Sequence, residues 1–440
     1  LLYTSNINKY DYERKDYEMN NENAQDNVDN IVYDLNSLYS AFLAAKKDSD
    51  WKPQVQKYEI DFLPNIVSSK DSLKNREYHS KPSSEFIINE RGKVRPITGL
   101  QMSDRVIRHS LCDNILSPSL IDYLIYDNGA SLKGKGIDFS RKRFEEHLHK
   151  YYRTYGNDGY ILLMDYSKFY DNIPHDIAYQ EIANHVNDEF SLWLLQQIFD
   201  NFKIDVSYMN DEEFLNCMDV PFNSTEYRLK IPKSAHTGEK YMRKSVNIGD
   251  QCSQIIGIFY PTKIDNFVKI VKSQKYYGRY MDDSYVIHYD REFLVQLESE
   301  IAKKANDLGM TLNRKKTRIV KLSDYYKFLQ ITYSLTDTGK VIRKINPRRI
   351  VDMRRKLKKL SVKVKCGERT QEEVENMFRS WMGSHARLMS KIQRDNLNLL
   401  YFDLFGGFID GKYYLQYYPR RQNGNSRHNE WQQLYHRRCS

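Results

Sequence analysis

Two segments carry the residues with the clearest capacity for chemistry. Tyr160-Ile161-Leu162-Leu163-Met164-Asp165 is a short, continuous apolar run that ends in an acid. Tyr280-Met281-Asp282-Asp283 lies between two strand-like stretches, and Asp282 follows Asp165 by 117 positions. The first run has the pattern of a buried central strand delivering a carboxylate to a sheet edge. The second places adjacent acids in a turn. Taken alone, an Asp-Asp pair has an ordinary structural explanation, because Asp tolerates turn conformations. If the two strands are neighbours in one antiparallel sheet, however, three carboxylates converge. Such a cluster repels itself unless a divalent cation neutralises it. Hard oxygen ligands with room for water and phosphates suit Mg²⁺, with Mn²⁺ as a substitute. Two such ions, about 3.5–4 Å apart, could activate a 3′-hydroxyl and stabilise a pyrophosphate leaving group. That is nucleotidyl-transfer chemistry. Histidine adds nothing comparable, since His175, His236 and His288 lack metal-ligand spacing.

The elements that must position these acids can be read around them. An Asn/Asp/Glu-rich run at Asn20–Asn30 leads into a short helix near Ile31–Lys46. A strand at 83–88 turns at Glu90-Arg91-Gly92 into Lys93-Val94-Arg95-Pro96-Ile97. A helix follows, capped by Ser103 or Asp104, with Val106, Ile107, Leu111 and Ile115 on one face. Next come the basic, glycine-rich loop Ser131–Gly136 and a charged helix from about Ser140 to Tyr155. Residues 203–245 are polar and turn-rich and read as an insertion, and Gly249–Val268 has helical character. Asp290 caps a helix with Leu294, Leu297, Ile301 and Ala305 at helical spacing, ending at Gly309. Strands are expected at Arg318–Leu322 and Lys327–Leu335, and a helix at Thr370–Leu400.

Composition excludes several classes. With 440 residues, 40% hydrophobic and 29% charged, the chain has material for a sizeable core and is not wholly disordered. No run approaches eighteen apolar residues, so no membrane partner is expected. The N-terminus shows no secretory signal and lacks an initiator Met. Five scattered cysteines without a CxxC pair argue against a zinc site or disulfide framework, and the chain reads as cytoplasmic. The net charge of +10 is unevenly placed: residues 341–440 hold 22 Lys+Arg against 9 Asp+Glu. The stretch 341–365 has 11 basic residues against the single acid Asp352. A solvated helix face is one reading of such a block, and a polyanion-binding surface is the other.

The motifs resemble those of reverse transcriptases. Tyr280-Met281-Asp282-Asp283 matches the family's catalytic turn, and Met164-Asp165-Tyr166-Ser167-Lys168-Phe169-Tyr170-Asp171 resembles the segment carrying its first aspartate. Lys93–Ile97 resembles the fingers strand, Ser131–Gly136 the basic loop after it, and Ile248-Gly249-Asp250-Gln251-Cys252-Ser253-Gln254 the helix-opening motif. Leu312-Asn313-Arg314-Lys315-Lys316-Thr317 resembles the lysine-bearing motif, and Phe328-Leu329-Gln330 the primer-grip hairpin. The blocks follow the family's order over about residues 85–335. Two departures stand out: Ile-Gly-x-x-x-Ser-Gln replaces the usual Gln-Gly-x-x-x-Ser-Pro, and Gln330 stands where the grip has Gly. The first variant resembles bacterial enzymes of diversity-generating retroelements and of phage-defence (abortive-infection) groups.

The resemblance implies an α+β right-hand polymerase. Its parts would be an extension at 1–60, fingers at 61–158, a palm at 159–335 and a basic helical thumb and tail at 336–440. It implies two metal ions on Asp165, Asp282, the adjoining Tyr166 and, more weakly, Asp283. Tyr170 would be a steric gate against the ribose 2′-hydroxyl, and Lys315 or Lys316 a general acid toward pyrophosphate. Lys93, Arg95, Tyr166, Gly249, Gln251, Ser253 and Gln254 would meet the nucleotide or template base. Lys133, Lys135, Arg348, Arg349, Arg354, Arg355 and Lys358 would contact nucleic acid. The partners that the resemblance implies are dNTPs, a DNA product and a dedicated non-coding template RNA, with a second copy or an accessory protein as further candidates. Phage defence is the preferred role, because the N-terminal extension and the thumb-sized tail exceed the compact diversity-generating form. Diversity generation, untemplated or protein-primed synthesis, and a non-catalytic RNA scaffold are the alternatives. The retained acids and Tyr170 count against the scaffold.

Overall fold

The computed structural model describes residues 30–407, apart from 91–92, 220, 226 and 228–230. Most of the acidic N-terminal run therefore lies outside the described residues. The described residues form two units, one of residues 30–329 with 334–341, the other of residues 330–333 with 342–407.

In the larger unit, Asp34 caps helix α1 (Leu35–Lys46) by accepting from the backbone N–H of Asn36 and Ser37. Helices α2 (Pro53–Ile60) and α3 (Phe62–Lys74) follow. Their buried faces, including Leu38, Phe42, Val55 and Leu73, join one core with Val106 and Leu111 of α4 (Met102–Leu111). Helix α4 begins one residue before the expected caps and has no side-chain cap. Asp104 instead accepts hydrogen bonds from the Tyr78 hydroxyl and the Lys81 amide, both at 3.0 Å. A two-stranded ribbon of β1 (Ser84–Glu90) and β2 (Lys93–Gly99) precedes α4, and α5 (Ile137–Tyr155) follows it.

The central sheet is assembled from distant segments. Strand β3 (Tyr160–Met164) is followed by helices α6 (His175–Ala183) and α7 (Glu189–Phe202). The expected insertion then folds around β4 (Ile204–Asp205), helix α8 (Asp211–Asp219) and β5 (Tyr241–Met242), with its own small core of Val206, Met209, Phe222 and Met242. Helix α9 (Gln251–Phe259) leads to the hairpin of β6 (Tyr277–Tyr280) and β7 (Asp283–His288). Helix α10 (Arg291–Asp307) is capped by Asp290, as its sequence requires, and the chain leaves it through Gly309 at φ +68°. With β8 (Arg318–Lys321), these strands form an antiparallel sheet in the order β6-β7-β3-β8. Apolar β3 lies inside it, which explains its unbroken run.

The strand expected at 327–335 is two, β9 (Tyr326–Phe328) and β10 (Ile331–Leu335), because Leu329 and Gln330 both adopt left-handed backbone, at φ +42° and +72°. Strand β11 (Val341–Ile345) leads into the smaller unit. There α11 (Pro347–Lys365) buries Ile350, Met353 and Leu357 against α12 (Gln371–His385) and α13 (Lys391–Phe405). The single helix expected at 370–400 is these two. Ser390 and Gln393 form a capping box that restarts the helix, just as Thr370 and Glu373 start α12. Among the described residues no helix is long and apolar enough to cross a membrane.

Candidate active site

The antiparallel register converts two separate motifs into one site. Leu163 pairs with Tyr285 and Met164 with Ser284, so the next step of the ladder brings Asp165 level with Asp283. In the hairpin Tyr280 pairs with Asp283, which leaves Met281 and Asp282 as the two turn residues. Met281 adopts φ +55°, as the first position of a tight hairpin turn demands. Such a backbone costs a side-chain-bearing residue about 1–2 kcal/mol, so something must hold it.

Arg279 does so. Its guanidinium donates to the Met281 carbonyl at 3.2 Å and to the Ile258 carbonyl at 2.6 Å. The same group is fully buried against Asp265, with contacts of 2.7–2.9 Å, and Tyr277 donates its hydroxyl to that carboxylate at 2.5 Å. Burial alone would lower the pKa of Arg279, but the Asp265 charge more than offsets it and the value stands above normal. The sequence reading passed over this pair. An Asp inside the apolar stretch Ile264–Val268 and an Arg just before the Tyr280 turn were the available signals.

Lys316 is the lysine that reaches the acids. Its ammonium lies 2.5 and 2.9 Å from the two Asp165 oxygens. Asn313 fixes the approach, donating its amide to the Asp165 carbonyl at 2.7 Å and accepting at its own carbonyl from the Lys316 amide at 3.0 Å. Lys315 is exposed. The donor set, hard carboxylates at adjoining strand ends, fits a divalent cation in its chemistry. In the arrangement seen here no three acidic, His or Cys side chains among the described residues stand close enough to hold one. The Lys316 ammonium supplies positive charge to Asp165 instead.

Around the acids, Tyr166 is buried and its ring packs on Phe169. Half-buried Tyr170 lies in a short 3₁₀ turn, Phe169–Asn172, with its hydroxyl 3.6 Å from the Met281 sulfur. Asp250 caps α9 and forms a buried ion pair with Arg108. Gly249, at φ +104°, occupies a backbone conformation that suits glycine, and a Cβ there would sit 3.5 Å from Ile97 of β2. Gln251 donates to Asp113 at 2.7 Å, Ser253 is buried, and Gln254 and Gly249 are exposed.

Arg95 is half-buried on β2, whereas the side chain of Lys93 lies outside the described residues. Lys133 is exposed. Lys135 instead donates to the Tyr126 and Asn128 carbonyls at 2.8 and 3.2 Å and covers the Tyr126 and Phe139 rings, a loop-bracing arrangement. In the smaller unit Arg348, Arg354, Arg355 and Lys358 are exposed on α11. Arg349 is engaged by Gln330 and by His385, the latter at 2.9 Å. Gln330 thus keeps a glycine-like backbone while using its side chain. His175 is a core histidine, with Nε2 2.6 Å from the Ser245 carbonyl.

Residues 80–333 match the family model described as reverse transcriptase (RNA-dependent DNA polymerase), which covers more than half of the chain. Similar solved structures include telomerase from Candida albicans in complex with a fragment of telomeric RNA, 14% identical at a TM-score of 0.38 over 62% of this chain and 46% of that one. Apo telomerase from Candida tropicalis is 14% identical at a TM-score of 0.36, over 64% and 53%. The chain spans about half the length of each. No curated protein matches. With its motifs in order, its acids at the ends of paired antiparallel strands and this match, the chain belongs to the reverse transcriptase family.

Proposed function

We propose that this protein is an RNA-directed DNA polymerase that joins dNTPs to a primer 3′-end on an RNA template. The observation that carries the reading is the β3–β7 register, which sets Asp165 level with Asp283 beside the Asp282 turn. Asp165, Asp282 and the backbone carbonyl of Tyr166 are the proposed Mg²⁺ ligands, with Asp283 weaker. When bound, such ions would activate the 3′-hydroxyl and stabilise departing pyrophosphate. Lys316 is the proposed proton donor to that leaving group. Arg95 and Lys93 grip the triphosphate, Arg95 with the bidentate geometry that a guanidinium allows. Tyr170 stands against the sugar, and Gly249, Gln251, Ser253 and Gln254 line the base side. The exposed cations of α11 follow the backbone of an RNA–DNA duplex by charge and shape. The Ile-Gly-x-x-x-Ser-Gln motif supports a bacterial setting, diversity generation or phage defence alike, and of these phage defence is the one proposed.

The test is synthesis by the purified protein with co-purifying RNA, Mg²⁺ and dNTPs, singly and mixed, beside Asp282→Ala/Asp283→Ala. DNA made only by the unaltered protein establishes the activity, and its sequence shows whether RNA directs it. Equal synthesis by the variant, or none by either on this RNA and on a primed RNA, overturns the reading. Loss of phage protection in cells carrying the same variant tests the setting.

A further inference from the structure

Gly257 occupies the middle of α9, between buried Ile256 and Ile258, and has no positive φ that would call for glycine. A helix-interior glycine costs about 1 kcal/mol relative to alanine, so its presence needs a reason outside the backbone. The reason lies opposite. A Cβ at Gly257 would stand 3.0 Å from the Tyr170 hydroxyl oxygen and 3.2 and 3.3 Å from Cζ and Cε1 of the same ring. These contacts are tighter than most Cβ atoms make, so the ring would have to give way by a few tenths of an ångström.

The backbone beneath Tyr170 cannot move with it. The Tyr170 carbonyl accepts from Val246 N–H at 2.9 Å. Two residues on, buried Asn172 exchanges hydrogen bonds with the Phe222 backbone, donating at 3.1 Å and accepting at 2.8 Å. Asp171 accepts from the Ser224 hydroxyl. The insertion thus clamps the turn from which the ring projects, and Met281 limits the ring on the side of the acids. A Cβ at 257 would therefore displace the ring away from α9.

We propose that Gly257 is a specificity-positioning residue: by leaving its Cβ space empty, it sets how far the Tyr170 ring stands into the sugar site. The inference rests on the reading of Tyr170 as the residue facing the sugar. Gly257→Ala then pushes the ring outward, which crowds deoxyribose and excludes ribose more strongly. The expected effect is a rise in KM for dNTP of about three- to tenfold with little change in kcat, the scale of a sub-ångström misplacement.

A double-mutant cycle with Tyr170→Val tests it, with dNTP and rNTP incorporation and thermal unfolding measured on all four proteins. Support is a KM effect of Gly257→Ala that disappears in the Tyr170→Val background, where alanine also raises the melting temperature. A Gly257→Ala protein that fails to fold while the double variant folds supports the same ring conflict. The inference is overturned if the KM effect persists without the ring, if Gly257→Ala changes neither KM nor sugar preference, or if the double variant itself does not fold. Failure of the underlying reading looks different: Tyr170→Val alone would admit no ribonucleotide, whatever residue stands at 257.

Discussion

The Lys316 ammonium and the Asp165 carboxylate form a direct pair, at 2.5 and 2.9 Å, between a turn after α10 and the end of β3. One residue from a late loop thereby balances the charge of an acid 151 positions earlier.

Lys316 is half-exposed, so the pair matters more for chemistry than for stability. Lys316→Ala should lower single-turnover dNTP incorporation by about 10²-fold, the usual scale of a general acid. Lys315→Ala should leave it nearly unchanged. Equal losses in the two variants would refute the assignment to Lys316.

The Arg279–Asp265 pair is a stability element under the Met281-Asp282 turn. Removing one partner leaves an uncompensated buried charge, so Arg279→Met should cost roughly 3–5 kcal/mol. Replacing both, as Arg279→Met with Asp265→Leu, should recover much of that loss. Chemical denaturation of the single and double variants measures both quantities. A single variant within 1 kcal/mol of the unaltered protein would remove Arg279 from this role.

Two buried histidines predict the acid limb of stability. Burial holds both His147 and His175 down to about 4, from the ordinary 6.5. The folded state therefore favours their neutral forms. Their contribution is complete above pH 6.5 and is lost as pH falls toward 4, at an order of 1–3 kcal/mol each. Unfolding free energies at pH 7.5, 6 and 5 should decline in that order. His147→Gln, which cannot take up a proton, should flatten the decline, and an unchanged slope would count against it.

The α11 cations should bind a duplex through counterion release. Arg354→Gln/Arg355→Gln/Lys358→Gln should weaken binding of a primed RNA–DNA duplex regardless of sequence. It should also reduce the log–log salt slope by about 2–3, near 0.9 for each lost phosphate contact. Fluorescence anisotropy between 50 and 200 mM salt reads this. An unaltered slope would show that these side chains face solvent only.

Much of the site was legible in local patterns. Unbroken apolar character marked β3 as buried on both faces, and strand-like runs on either side of Met281-Asp282 marked a hairpin. Asp290 and Gly309 bounded α10 because capping is itself local chemistry. The errors lie where local signals compete. Asp104 has the makings of a cap but answers to Tyr78 and Lys81, and the helical pattern at 370–400 hid a restart that the Ser390 and Gln393 side chains encode.

What the sequence determined by itself, then, is the set of reactive groups, their order and the type of most elements around them, since these follow from side-chain chemistry and short-range periodicity. Only the tertiary structure decided which groups meet. It set Asp165 one step beyond the Met164–Ser284 pair, chose Lys316 over Lys315, turned Lys135 into its own loop, buried Arg279 on Asp265 and emptied the space at Gly257 for Tyr170. The physical reason is that strand register, buried charge pairing and close packing act between residues far apart in the chain. No residue's type or immediate neighbours specify its partner at that distance.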